Sequence, residues 1–206
     1  MSRVKPVASF DPILKTIHWA TVALLLIQLA TGWIMTGLDT LPRQTLSGLY
    51  ALHKSFGMLV LLLTFVRLPW RLAHAQPRLP ASLRPWEAFL AILVERLFYV
   101  LLFLQTFSGW AIYSISPYKA LFFGTRRIPD LPFLGGLAGN EAAKDLLEGI
   151  HRAGAALLAG LIVLHAGAAL KHHFIERDEV LLRMTPKALW PWLGRLRADV
   201  RGKRRG

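Results

Sequence analysis

Four stretches of the chain stay apolar over the length that a membrane helix requires. They run at about 16–38, 49–70, 88–113 and 150–173, separated by polar segments bearing Pro or Gly. A hydrocarbon core of about 30 Å takes roughly 20 residues of α-helix, so each stretch predicts one span. No period-2 alternation long enough for a membrane β-barrel occurs. The pattern predicts an all-α fold: an integral membrane four-helix bundle forming a single domain over 1–206, with a basic tail at 174–206.

The connections differ in character. The first, DTLPRQTLSG, is short, which makes the first two helices antiparallel neighbours. The second, HAQPRLPASLRPWE, is too rich in Pro to stay helical throughout. The third and longest runs from SPYKALFFGTRR to KDLLEG and predicts a cap over one face of the bundle. Beyond the fourth span, Trp190 and Trp192 beside Leu189 and Leu193 predict an interfacial helix.

Composition agrees, with 54% hydrophobic and only 18% charged residues. The net charge of +13 is informative through its distribution. With the N-terminus inside, 17 Lys and Arg fall on inside segments and 7 outside, with Arg96 left within the third span. That is the positive-inside asymmetry, and it predicts cytoplasmic N- and C-termini. The tail RLRADVRGKRRG suits anionic membrane lipid. No nucleic-acid partner is expected, because no aromatic stacking surface or reading module accompanies the charge. The absence of cysteine excludes disulfides, thiolate catalysis, iron–sulfur clusters and C-x-x-C-H haem attachment within these residues. The first span is too long for a signal h-region and no A-x-A-like site follows it, so it is expected to be retained.

The chemistry lies in the histidines. The fourth span reads HRAGAALLAGLIVLH, with His151 and His165 at its ends. Residues 14 apart on a helix lie about 40° from one face and about 21 Å apart along the axis, so the two serve separate centres at two depths. Antiparallel packing supplies a partner for each: His53 meets His151 near the outside, and His18 meets His165 near the inside. Two stacked bis-histidine sites suit two b-type haems, with these four histidines as axial ligands to iron. Small residues of the fourth span (Ala153, Gly154, Ala155, Ala156, Ala159, Gly160, Ala166 and Gly167), with Gly57, give a porphyrin clearance. Small residues also serve tight helix packing; the depth-matched histidines decide between the two.

His172 would place its centre about 31 Å from that of His151, close to the whole hydrocarbon thickness. It and His173 are therefore read as interfacial residues lining a redox-partner or quinone site. His74, in the Pro- and Arg-rich loop, is expected to be solvated. Lys54 and Arg152, each next to a ligand, suit haem propionates; on the inner side Lys15, Arg67, Arg71 and Lys171 suit either propionates or ordinary topology signalling. Glu95 and Arg96 stand near the inner end of the third span, Glu95 as a candidate for proton handling.

HW in the first span, HKSFGMLVLLLTFVRLPWR, YVLLFLQTFSGW and HRAGAALLAGLIVLHAGAALKHHF followed by LLRM together resemble the bacterial cytochrome b561 family, which includes cytochrome b subunits of nickel–iron hydrogenases. The resemblance covers about residues 11–186. It implies a di-haem b protein of the bacterial inner membrane whose axial ligands match His18, His53, His151 and His165. One departure is Glu95, where members often carry a histidine that is not a haem ligand. The resemblance further implies an electron-transfer cytochrome exchanging electrons with ubiquinone or ubiquinol. Some members oxidise superoxide at the outer face, which would make the chain a superoxide:ubiquinone oxidoreductase; a periplasmic redox partner is the other outer-face donor. An anchor subunit for a peripheral oxidoreductase is the alternative, but such subunits usually have a fifth helix. A proton-coupled transporter is the alternative from another class, and the broken helices or inverted repeats it would want are not visible.

Overall fold

The computed structural model describes residues 9–38, 40–80 and 82–202, without the side chains of 199–202. Arg3, Lys5 and the last basic residues, Lys203 to Arg205, on which part of the charge reading rests, lie outside the described residues.

Four long helices dominate: α1 (Pro12–Gly37), α2 (Arg43–Ala73), α3 (Pro85–Ile115) and α4 (Glu141–Lys171). By length and composition, α1, α2 and the continuous segment Glu141–Glu176 are apolar enough to cross a membrane. Local chemistry sets the helix starts. Asp11 accepts from the backbone N–H of Ile13 and Leu14, with Pro12 at the first helical position. Asn140 accepts from Ala143 N–H and Glu141 complements the helix dipole, so α4 begins nine residues before the apolar run at 150. The polar NEAAKDLLEG, read from the sequence as loop, is a capped first stretch of helix.

The helices pack in chain order, α1 on α2, α2 on α3 and α3 on α4. The core joins all four through Leu25, Val60, Leu102 and Leu158. Three of these lie seven residues from a histidine of their own helix: Leu25 from His18, Val60 from His53, and Leu158 from both His151 and His165. Seven residues are nearly two turns, so core and histidines share a face. The apolar layer sits between the two histidine levels.

At one end, the α3–α4 connection forms the predicted cap. It contains a small hairpin that the sequence reading did not include, β1 (Leu121–Phe122) paired antiparallel with β2 (Arg126–Arg127). Gly124, at φ 74°, makes its turn. Buried Ser55 of α2 accepts from Phe123 N–H, and Tyr113 of α3 donates to Ile128 O at 2.9 Å. At the other end the chain doubles back. A π-helical turn, His172–Glu176, ends at Arg177 in the left-handed region, and α5 (Val180–Met184) and α6 (Trp190–Gly202) follow. This return strap is tied to α1 by Phe10 N–H to Arg183 O, Trp19 Nε1 to Met184 O and Lys15 Nζ to Thr185 O.

His172 and His173, read as interfacial residues, lie beneath this strap. Both are buried, His173 completely. His172 Nδ1 lies 2.7 Å from Asp178 Oδ2, and His173 is held between Leu193 O and the Arg197 guanidinium. The strap covers them, and their polar atoms pin it in place. His74 is exposed as expected, although its ring stacks on Trp70.

Candidate functional site

The structure brings the four histidines together in the two pairs expected from depth. At the cap end the rings of His53 and His151 lie 6.3 Å apart between centroids; at the strap end His18 and His165 are also 6.3 Å apart. Among the described residues, no group of three or more His, Cys, Asp or Glu could hold a metal ion. Two imidazoles facing one another suit instead a metal that brings its remaining ligands with it, as a porphyrin iron does.

A cavity of about 530 Å³ opens beside the cap-end pair, within the size range of cofactor sites. His53, Lys54, Gly57, His151, Arg152 and the small residues Ala155, Ala156 and Ala159 help to line it. Glycines let the rings approach their neighbours. A Cβ on Gly32 would stand 3.5 Å from His53 Cε1, and one on Gly109 only 2.9 Å from His151 Cε1. The sequence reading singled out neither glycine.

It also missed the polar neighbours of these rings. His53 Nδ1 is 3.0 Å from Thr31 Oγ1, and His151 Nδ1 is 3.0 Å from Ser108 Oγ. The Gln105 amide nitrogen lies 3.1 Å from His151 Nε2, while Gln105 Oε1 is buried without a hydrogen-bond partner. A nitrogen that accepts from an amide carries its lone pair outward, which is the form a metal ligand needs. Gln105 holds this position with its oxygen orphaned, so exchanging the contact for a metal bond would free it to pair. On this test the residues fit a bis-imidazole iron.

At the strap end, Arg67 Nη2 approaches His18 Nδ1 at 3.2 Å, and Phe98 packs edge-on against His165. His165 is exposed beside α1, and no Cβ at Gly160 or Gly167 would meet a neighbour within 4 Å. Arg71 forms a two-point ion pair with Glu95 across α2 and α3. Lys54 Nζ donates to Tyr118 O at 3.1 Å, tying α2 to the cap. In the cap itself, Asp130 binds Lys119 at 2.6 Å and Arg127 at 2.8 Å, and the Lys119 hydrogen bond foremost holds the Asp130 carboxyl below its ordinary value.

The family model for prokaryotic cytochrome b561 matches residues 9–187. Cytochrome b561 homolog 1 of Escherichia coli (strain K12) is 30% identical over 177 residues, covering 83% of this chain and 93% of that protein. Cytochrome b561 homolog 2 of the same strain is 32% identical over 137 residues, 66% of this chain and 70% of the relative. A probable superoxide oxidase, CybB, of Yersinia pestis is 28% identical over 172 residues, 83% of this chain and 92% of the relative.

Proposed function

The chain belongs to the prokaryotic cytochrome b561 family, and from that premise we propose a four-helix, di-haem b-type cytochrome that relays electrons across the bacterial inner membrane. The carrying observation is the pair of facing histidines at each of two levels, with an apolar layer between them. His53 with His151, and His18 with His165, would each hold one haem. Bound b-type haem would supply one-electron chemistry, and an iron held by two histidines would favour outer-sphere transfer over oxygen binding.

The protein's own residues do the rest. Lys54 and Arg152 line the cap-end cavity and would hold propionates there. Arg67 and Arg71 would do so at the strap end. Arg71 already shares its charge with Glu95, so Arg67 is the stronger partner. That ion pair also gives Glu95 a structural role in place of proton handling.

In this reading α3 also crosses the membrane, entering the hydrocarbon after Arg96, the cap faces outward, and the strap and both termini are cytoplasmic. The lysine and arginine distribution supports that orientation. Superoxide is the proposed outer-face donor and ubiquinone the acceptor. The Yersinia relative's naming as a probable superoxide oxidase supports superoxide, as does the exposed Arg126 of the cap. Neither α5, with 5 residues, nor α6, with 13, has the roughly 20 residues of a crossing.

Haem quantified per purified chain by pyridine haemochrome tests the proposal. Two per chain are expected. His53→Ala or His151→Ala should remove one haem and keep the other; His18→Ala or His165→Ala should do the reverse. One haem per chain, or both retained in His165→Ala, would refute it.

A further inference from the structure

Two hydroxyl residues of the cap-end site are not required by the account so far. Thr31 Oγ1 lies 2.8 Å from Ile27 O and 3.2 Å from Gln28 O, both acceptors on its own helix. Ser108 Oγ lies 3.1 Å from Gln105 O. A hydroxyl has one proton and two lone pairs. Each hydroxyl has a helix carbonyl in reach to take its proton, which leaves the oxygen a lone pair for the adjacent imidazole. With the protons so placed, the contacts at 3.0 Å to His53 Nδ1 and His151 Nδ1 are bonds in which the ring N–H donates. At His151 the Gln105 amide agrees, since it donates to the opposite nitrogen, Nε2.

We propose that Thr31 and Ser108 are positioning residues of the cap-end centre: they hold the proton of both rings on Nδ1, aim both Nε2 lone pairs at the metal and raise the rings' donor strength. The proposal rests on the haem reading above and deepens it. An imidazole whose N–H is bound to an acceptor is a more basic ligand, which favours the oxidised metal and lowers the potential. The strap-end pair is built differently. Among the described residues no hydroxyl bonds to His18 or His165, and the side chain at His18 Nδ1 is the Arg67 guanidinium, which only donates. The two centres are thus tuned unequally by the chain itself.

Full-length Thr31→Val and Ser108→Ala variants, with Thr31→Ser as the conservative control, test this. Each is purified, assayed for haem content and titrated spectroelectrochemically alongside wild type. Thr31→Val and Ser108→Ala should each raise the potential of the haem that depends on His53 and His151. They should also weaken its binding by about 10–100-fold. The other haem should be unmoved, which serves as the internal check that the variant has folded. Thr31→Ser should restore the wild-type potential. Unchanged potential and occupancy in both Thr31→Val and Ser108→Ala, with two haems in wild type, would overturn the tuning role alone. Loss of both haems together in either variant would show a merely structural role and overturn it too. Wild type without a haem dependent on His53 would overturn the underlying reading and this inference with it.

Discussion

At the scale of single residues, the four histidines were legible in the sequence because an ionisable group inside an apolar run is costly and so asks for a partner. Depth and antiparallel order then selected that partner. Thr31, Ser108 and Gly109 were not legible. A hydroxyl in an apolar helix ordinarily bonds back to its own carbonyls, and a glycine there ordinarily serves packing. Only the position of a neighbouring ring separates those ordinary roles from contact with a site histidine. Gly109 shows the difference most directly, since a Cβ would fall 2.9 Å from His151 Cε1 and 3.4 Å from Nδ1. Gly109→Ala should push the ring off its position and cost about 1–3 kcal/mol through overpacking. The expected result is a lower thermal midpoint in detergent, with selective loss of the haem that depends on His151.

Whole elements were legible where the hydrophobic run is long and illegible where short polar pieces carry the structure. The extents of α1 and α3 follow the apolar pattern to within four residues, whereas α2 begins six residues early, within the stretch read as the first connection. The start of α4 departs further, because Asn140 caps a polar stretch and carries the helix nine residues beyond the greasy part. The cap hairpin has two-residue strands, too short for any alternation to show. What holds the cap is chemistry that sequence pattern does not reveal, chiefly Lys119 bonded to Tyr113 O, Ser114 O and Asp130. Asp130 has its carboxyl pKa lowered in the fold, so its contribution is complete above the ordinary value of 3.8 and is lost as pH falls through the lower folded value. Hydrogen-exchange protection across residues 119–131, taken relative to the intrinsic rate at each pH, should therefore be flat near neutrality and fall only below about pH 4. Asp130→Asn should show the lower protection already at neutral pH.

For the molecule as a whole, its membrane-integral, mostly helical character was readable and the return of the C-terminal segment was not. Trp190 and Trp192 do lie on a short helix, but nothing in the apolar pattern foretold that it would bury His173. That burial comes from Arg197 reaching three acceptors at once: Arg177 O, Asp178 O and His173 Nδ1. The proposed orientation has a clean test, because the chain contains no cysteine. A single Thr125→Cys in the cap should react with a membrane-impermeant maleimide on intact spheroplasts. A single Leu189→Cys beside the strap should react only after the membrane is opened. The reverse pattern would invert the topology.

The strap also dictates an order of events during synthesis. Ser9 reaches the carbonyl of Arg183 across 174 positions of chain, so the first helix must wait for residue 183 to leave the ribosome before its end is latched. Contacts of such separation close late. Of the two histidine levels, the one beside the strap is thus completed only after translation of the whole bundle, while the one beneath the cap needs nothing beyond the middle of α4.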